Sequence, residues 1–77
     1  MKYIYGKHHQ VHVEADSIDE FFENLAQVPE FYMVSDSLQL RERLVGLFTD
    51  TLENVQPEES ELIFKKLLEH GVIKLWQ

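Results

Sequence analysis

Gln56 to Trp76 reads QPEESELIFKKLLEHGVIKLW, and this stretch decides the architecture. It predicts a helix with both ends specified, followed by a strand. Pro57 suits the first helical position, where a missing N–H costs nothing. Glu58, Glu59 and Glu61 lie toward the N-terminal end and Lys65, Lys66 and His70 toward the C-terminal end, matching the helix dipole. Gly71 fits the left-handed closing position, and Val72 then folds back onto the last turn. Leu62, Ile63, Phe64, Leu67 and Leu68 are too many for a narrow stripe, so the helix calls for cover on more than one side. Val72 to Trp76 (VIKLW) follows as a strand.

Working back from this helix, Lys2 to Tyr5 (KYIY) is β-branched and aromatic, as a short strand requires. Val11 to Ala15 alternates apolar and polar, a strand with one buried face. Between them Gly6 marks a turn of unusual backbone geometry. The two strands predict a hairpin, which is marginal alone and calls for VIKLW as its third strand.

Ser17-Ile18-Asp19-Glu20 is a capping box. Ile18, Phe21, Phe22 and Leu25 follow at helical spacing, and Pro29 closes the helix near Gln27. Asp36 with Gln39 forms a second capping pair. The helix it opens is expected to run to about Asn54, burying Leu40, Leu44, Leu47, Phe48, Leu52 and Val55, with Leu38 and Val45 at its margin. Gly46 inside it implies close packing against another element. The expected order is β-β-α-α-α-β: a single domain over 1–77, α+β, with a small three-stranded sheet against three helices. Strand order is left open.

A chain of 77 residues without cysteine must rely on apolar packing, for which its 44% hydrophobic content suffices. The absence of thiols fits a cytoplasmic location, and MKYIYGKHHQ lacks the apolar core of a signal peptide. No apolar run approaches the length of a membrane span.

The net charge of −7 is confined to one segment. Glu14, Asp16, Asp19, Glu20, Glu23, Glu30 and Asp36 fall in a window without Lys or Arg. The remainder of the chain carries seven acids against seven bases. A negative field this concentrated repels nucleic acid and anionic membranes and attracts basic protein surfaces. Within it, Phe31, Tyr32 and Met33 follow the first helix, with acids on both sides, a composition suited to an interface anchor and its rim. The alternative use of these aromatics is to close the core, and both hold if one ring points in and the other out. The candidate partner-binding residues are therefore Asp19, Glu20, Glu23, Glu30, Phe31, Tyr32 and Asp36.

His8, His9 and His12 form an HHxxH cluster near Glu14, a zinc-like donor set with no second ligand cluster elsewhere in the chain. No metal or other cofactor is expected, and a metal-dependent module through His8, His9 and His12 stands as the third reading. Asp36-Ser37-Leu38 resembles the tripeptide around the modified serine of acyl carrier proteins, but no glycine precedes the aspartate, and an N-cap explains the same residues. SELIFKKLLEHGVIKL, Ser60 to Leu75, is similar to the last helix and wing of winged-helix DNA readers, a role that requires a basic face. No phosphate loop, nucleophile elbow or paired acid–base motif points to an enzyme. Helix 1, Pro29-Glu30-Phe31-Tyr32, a second helix and the closing ESELIFKKLLEHGVIKL faintly resemble barstar, the acidic ribonuclease inhibitor family. The chain lacks that family's glycine-asparagine pair and second-helix tryptophan, is shorter and adds an N-terminal strand. The resemblance supplies an analogy for how an acidic helix–loop–helix surface works. The expected function is a small acidic module binding a basic protein, of inhibitor, antitoxin or immunity type. The second expectation is a structural or regulatory subunit pairing as a homodimer through its sheet face, with Tyr3, Tyr5 and Trp76.

Overall fold

An aromatic strand and a valine-rich one pair across the turn at Gly6, and the helices are laid against one side of them. The computed structural model describes residues 1–76. Strands β1 (Lys2–Tyr5) and β2 (Val11–Glu14) form the antiparallel hairpin, with Tyr3 opposite Val13 and Tyr5 opposite Val11. Helix α1 (Ile18–Leu25), a 3₁₀ turn (Pro29–Phe31), α2 (Ser37–Leu47) and α3 (Ser60–Glu69) follow, and β3 (Ile73–Leu75) closes the chain. β3 pairs antiparallel with β1, so the sheet order is β2-β1-β3. The order β-β-α-α-α-β and the α+β class match the expectation.

Strand alternation sends Tyr3 and Tyr5 toward the helices. Tyr3 meets Phe21 of α1 and Phe64 of α3 edge-on, at ring-centroid distances of 5.4 and 5.5 Å. Phe21 meets Phe64 at 5.3 Å, so three elements share one aromatic cluster. Edge-to-face pairs of this kind add roughly 0.5–1.5 kcal/mol each beyond area burial. Leu25, Leu40, Leu44, Leu52, Ile63, Leu67 and Ile73 complete the core. Arg41 ties α2 to its surroundings. Its Nε donates to the Pro57 carbonyl (2.7 Å), and its guanidinium lies 5.5 Å from the Phe22 ring centre.

The helix ends show how local chemistry sets the boundaries. The Glu20 N–H donates to Ser17 Oγ (3.1 Å), and the Gln39 N–H donates to Asp36 Oδ1 (2.8 Å). The return arms reach one residue further back than in a standard box: Glu20 Oε1 accepts from the Asp16 N–H and Gln39 Oε1 from the Ser35 N–H. At the end of α3, Gly71 has φ +76°. Its N–H donates to the Leu68 carbonyl and that of Val72 to Leu67, the double closure expected from the sequence.

Four expectations give way. α3 begins at Ser60, not Pro57. Glu59 is its N-cap residue, without a side-chain cap bond, and Gln56 to Glu59 form a turn instead. α2 ends at Leu47 rather than near Asn54. The Leu52 N–H still donates to the Phe48 carbonyl, but Asn54 takes φ 63° and redirects the chain, so Leu52 and Val55 reach the core from a turn. Leu47 is consequently 61% exposed. Gly46 packs against nothing: a Cβ built there meets no atom within 4 Å. Finally, Leu62 and Leu68 stay exposed, so α3 is covered less completely than its composition implied.

Candidate functional site

The acidic window folds into α1 and the loop joining it to α2. Pro29 opens the 3₁₀ turn, whose Phe31 N–H donates to the Val28 carbonyl (3.0 Å). That turn separates the two rings. Phe31 is 4% exposed and packs on Tyr5 at 5.7 Å, so it belongs to the core and offers no surface to a partner. Tyr32, one residue on, is 83% exposed, and Met33 is 68% exposed. An aromatic ring held that far into solvent contributes nothing to folding by burial.

Of the acids in this window, Asp19, Glu20, Glu23, Glu30 and Asp36 are all exposed. Glu20 and Asp36 each use an oxygen to cap their helices. The only ion pair among the described residues joins the N-terminal ammonium to Asp16 (3.5 Å), so Glu23, Glu30 and Asp36 have no internal counter-ion. Glu23, Val28, Tyr32, Val34 and Asp36 line an open groove of about 670 Å³ between the end of α1 and the start of α2. α1 has no basic residue in its last turn to offset the negative end of its dipole, and the N-terminus of α2, capped by Asp36, lies across the groove from it. Carboxylates, a helix C-terminus and an aromatic face all favour cations. Asp19 and Glu20 lie at the opposite end of α1, one helix length away. The valines of the groove were not singled out from sequence, because isolated Val in a loop carries no periodic signal.

The opposite side of the sheet differs from expectation. Because Tyr3 and Tyr5 turn inward, the open face presents Lys2, Ile4, His12, Glu14, Lys74 and Trp76. Trp76 is engaged there: Lys2 Nζ lies 5.1 Å from its ring centre and His12 meets it edge-on at 5.0 Å. His8 and His9 sit in the hairpin turn, away from that face. Among the described residues no three His, Asp or Glu side chains come together as a metal site would require. No described helix is long and apolar enough to cross a membrane.

Comparison of the chain with protein-family models, curated proteins and solved structures finds no match.

Proposed function

We propose that this chain is a small protein-binding module that engages a basic partner protein through the α1–α2 loop. An inhibitor, antitoxin or immunity-type role suits its size and charge. The observation that carries the reading is Tyr32, 83% exposed at the tip of a loop whose carboxylates lack internal counter-ions. Unpaired charge steers encounter and raises the association rate, and a projecting aromatic slows departure once docked. The competing surface is the open sheet face, where Trp76 is the one large ring. With Tyr3 and Tyr5 turned inward, two of the three rings expected on that face are not there.

The test starts with affinity capture from the native host and identification of the partner by mass spectrometry. Binding kinetics of variants then locate the contact. Charge reversal at Glu23 and Glu30 should slow association by roughly tenfold at low salt with little effect on folding. Tyr32→Ala should speed dissociation by an amount worth ~2 kcal/mol. If these variants bind like the parent while Trp76→Ala stays folded and fails to bind, the site is the sheet face and the reading falls.

A further inference from the structure

The groove between α1 and α2 offers hydrogen-bond acceptors and has few backbone donors to spare. At the end of α1 the Ala26, Gln27 and Val28 N–H groups donate to the Phe22, Asn24 and Leu25 carbonyls. The carbonyls of Glu23, Ala26 and Gln27 accept no hydrogen bond from any described residue, and all three residues line the groove. Carbonyls left over at a helix end are satisfied by water or by a donor from outside. The donors nearby are taken. The Phe31 N–H donates to Val28 (3.0 Å), the Val34 N–H to Phe31 (2.9 Å) and the Ser35 N–H to Gln39 Oε1 (3.0 Å), while Pro29 has none. Among the side chains, the Glu23 carboxylate has no ion pair, and Asp36 uses one oxygen to cap α2 and keeps the other.

Val28 and Val34 line the same groove and pack against the core, so part of its wall is apolar and fixed. Tyr32 stands exposed beside them. An apolar wall accepts the methylenes of a long side chain, and an aromatic face accepts a flat cation. This combination fits arginine better than lysine. A guanidinium is planar, carries five donors in a rigid fork and stacks on rings, whereas an ammonium is compact, strongly hydrated and carries three. The chain already holds one of its own arginines in this way: Arg41 donates to the Pro57 carbonyl (2.7 Å) with its guanidinium 5.5 Å from the Phe22 ring centre.

We propose that the groove takes an arginine side chain of the partner protein. Its methylenes lie along Val28 and Val34, its guanidinium stacks on Tyr32, and its N–H groups donate to the leftover carbonyls of α1 and to the carboxylates of Glu23 and Asp36. This rests on the reading of the chain as a binder of a basic protein, and it names the side chain by which that protein is held.

Titration of the isotope-labelled full chain with N-acetylarginine amide, followed by backbone amide shifts, tests this against N-acetyllysine amide at equal ionic strength. The arginine compound should bind with a dissociation constant on the order of 1–10 mM and shift the amides of Val28, Tyr32, Val34 and Ser35. The lysine compound should bind at least ~5-fold more weakly. Tyr32→Ala and Asp36→Asn should each weaken the arginine compound by ~3-fold or more. Asparagine caps a helix as well as aspartate does, so the second variant removes charge and keeps the fold. Asp50→Asn, at an exposed acid that does not line the groove, should change nothing. Equal binding of the two compounds, shifts centred elsewhere, no saturation below ~50 mM, or a loss in Asp50→Asn equal to that in Asp36→Asn overturns the proposal. A captured basic partner that docks on the loop and is indifferent to replacing its contacting arginines by lysine also overturns it, and leaves the earlier reading standing. Failure to capture any basic partner, with the arginine preference intact, would remove the earlier reading and uphold the groove.

Discussion

Gly46→Ala should stabilise the domain, and the size of the gain follows from where Gly46 sits. Glycine in a helix interior is less favourable than alanine by about 1 kcal/mol, because it gives up more backbone freedom on folding. Gly46 is the penultimate residue of α2, with Phe48 as C-cap and its N–H still bonded to the Leu44 carbonyl (2.9 Å). A position one residue from the end realises only part of that difference, roughly 0.5–1 kcal/mol. No opposing term arises from packing, since an added Cβ meets nothing within 4 Å. For a domain of this size, 1 kcal/mol corresponds to roughly 4–8 °C, so the melting temperature should rise by about 2–8 °C. Thermal and urea denaturation followed by circular dichroism measure it, and an unchanged m-value shows that stability changed while the surface exposed on unfolding did not. A melting temperature that stays level or falls would refute the reasoning. It would mean that Gly46 is packed against something, as its place in the sequence first implied.

Gly6→Ala should act in the opposite direction. The added Cβ would lie 2.5 Å from backbone at a positive φ, so a loss on the order of 1–3 kcal/mol is expected by chemical denaturation. Tyr5 gives the domain an alkaline limit. Burial pushes its hydroxyl pKa from 10.0 up to about 12. Between those values the unfolded chain ionises and the folded one does not, so stability that is intact below pH 10 drains away as pH rises toward 12, by about 2–3 kcal/mol at most. Urea midpoints at mildly and strongly alkaline pH should show a smaller alkaline loss in Tyr5→Phe than in the parent; equal losses would refute the assignment.

The parts of the fold readable in sequence are those set by short-range chemistry. Ser17, Asp36 and Gly71 each satisfy or redirect backbone within a few residues, so the two capped helix starts and the end of α3 follow from the residues themselves. The unreadable parts depend on distant neighbours. Apolar spacing through Phe48, Leu52 and Val55 continues a helical pattern, yet Thr49, Asp50, Thr51 and Asn54 compete with helix locally, and the core accepts Leu52 and Val55 from a turn. Pro57 fits a helix start and a turn equally well, and the bond from Arg41 to its carbonyl belongs to the turn. Strand order depends on where α3 delivers Val72, which the Gly6 N–H records and no local pattern encodes. At the site, charge segregation was visible in the letters. The division of labour between Phe31 and Tyr32 was not, because adjacent aromatics in a loop have no period. It took the 3₁₀ turn after Val28 to face one inward.

Salt tests the proposed contact with a basic partner by sign. Such a partner meets a body of net charge −7, so its association should weaken steadily as salt is added. The Debye length falls from about 30 Å at 0.01 M to about 8 Å at 0.15 M, so steering by acids beyond the contact is lost over that range while charges in direct contact lose far less. Association rates at the two ionic strengths read the effect. A rate indifferent to salt would mean that the acidic segment does not guide the encounter.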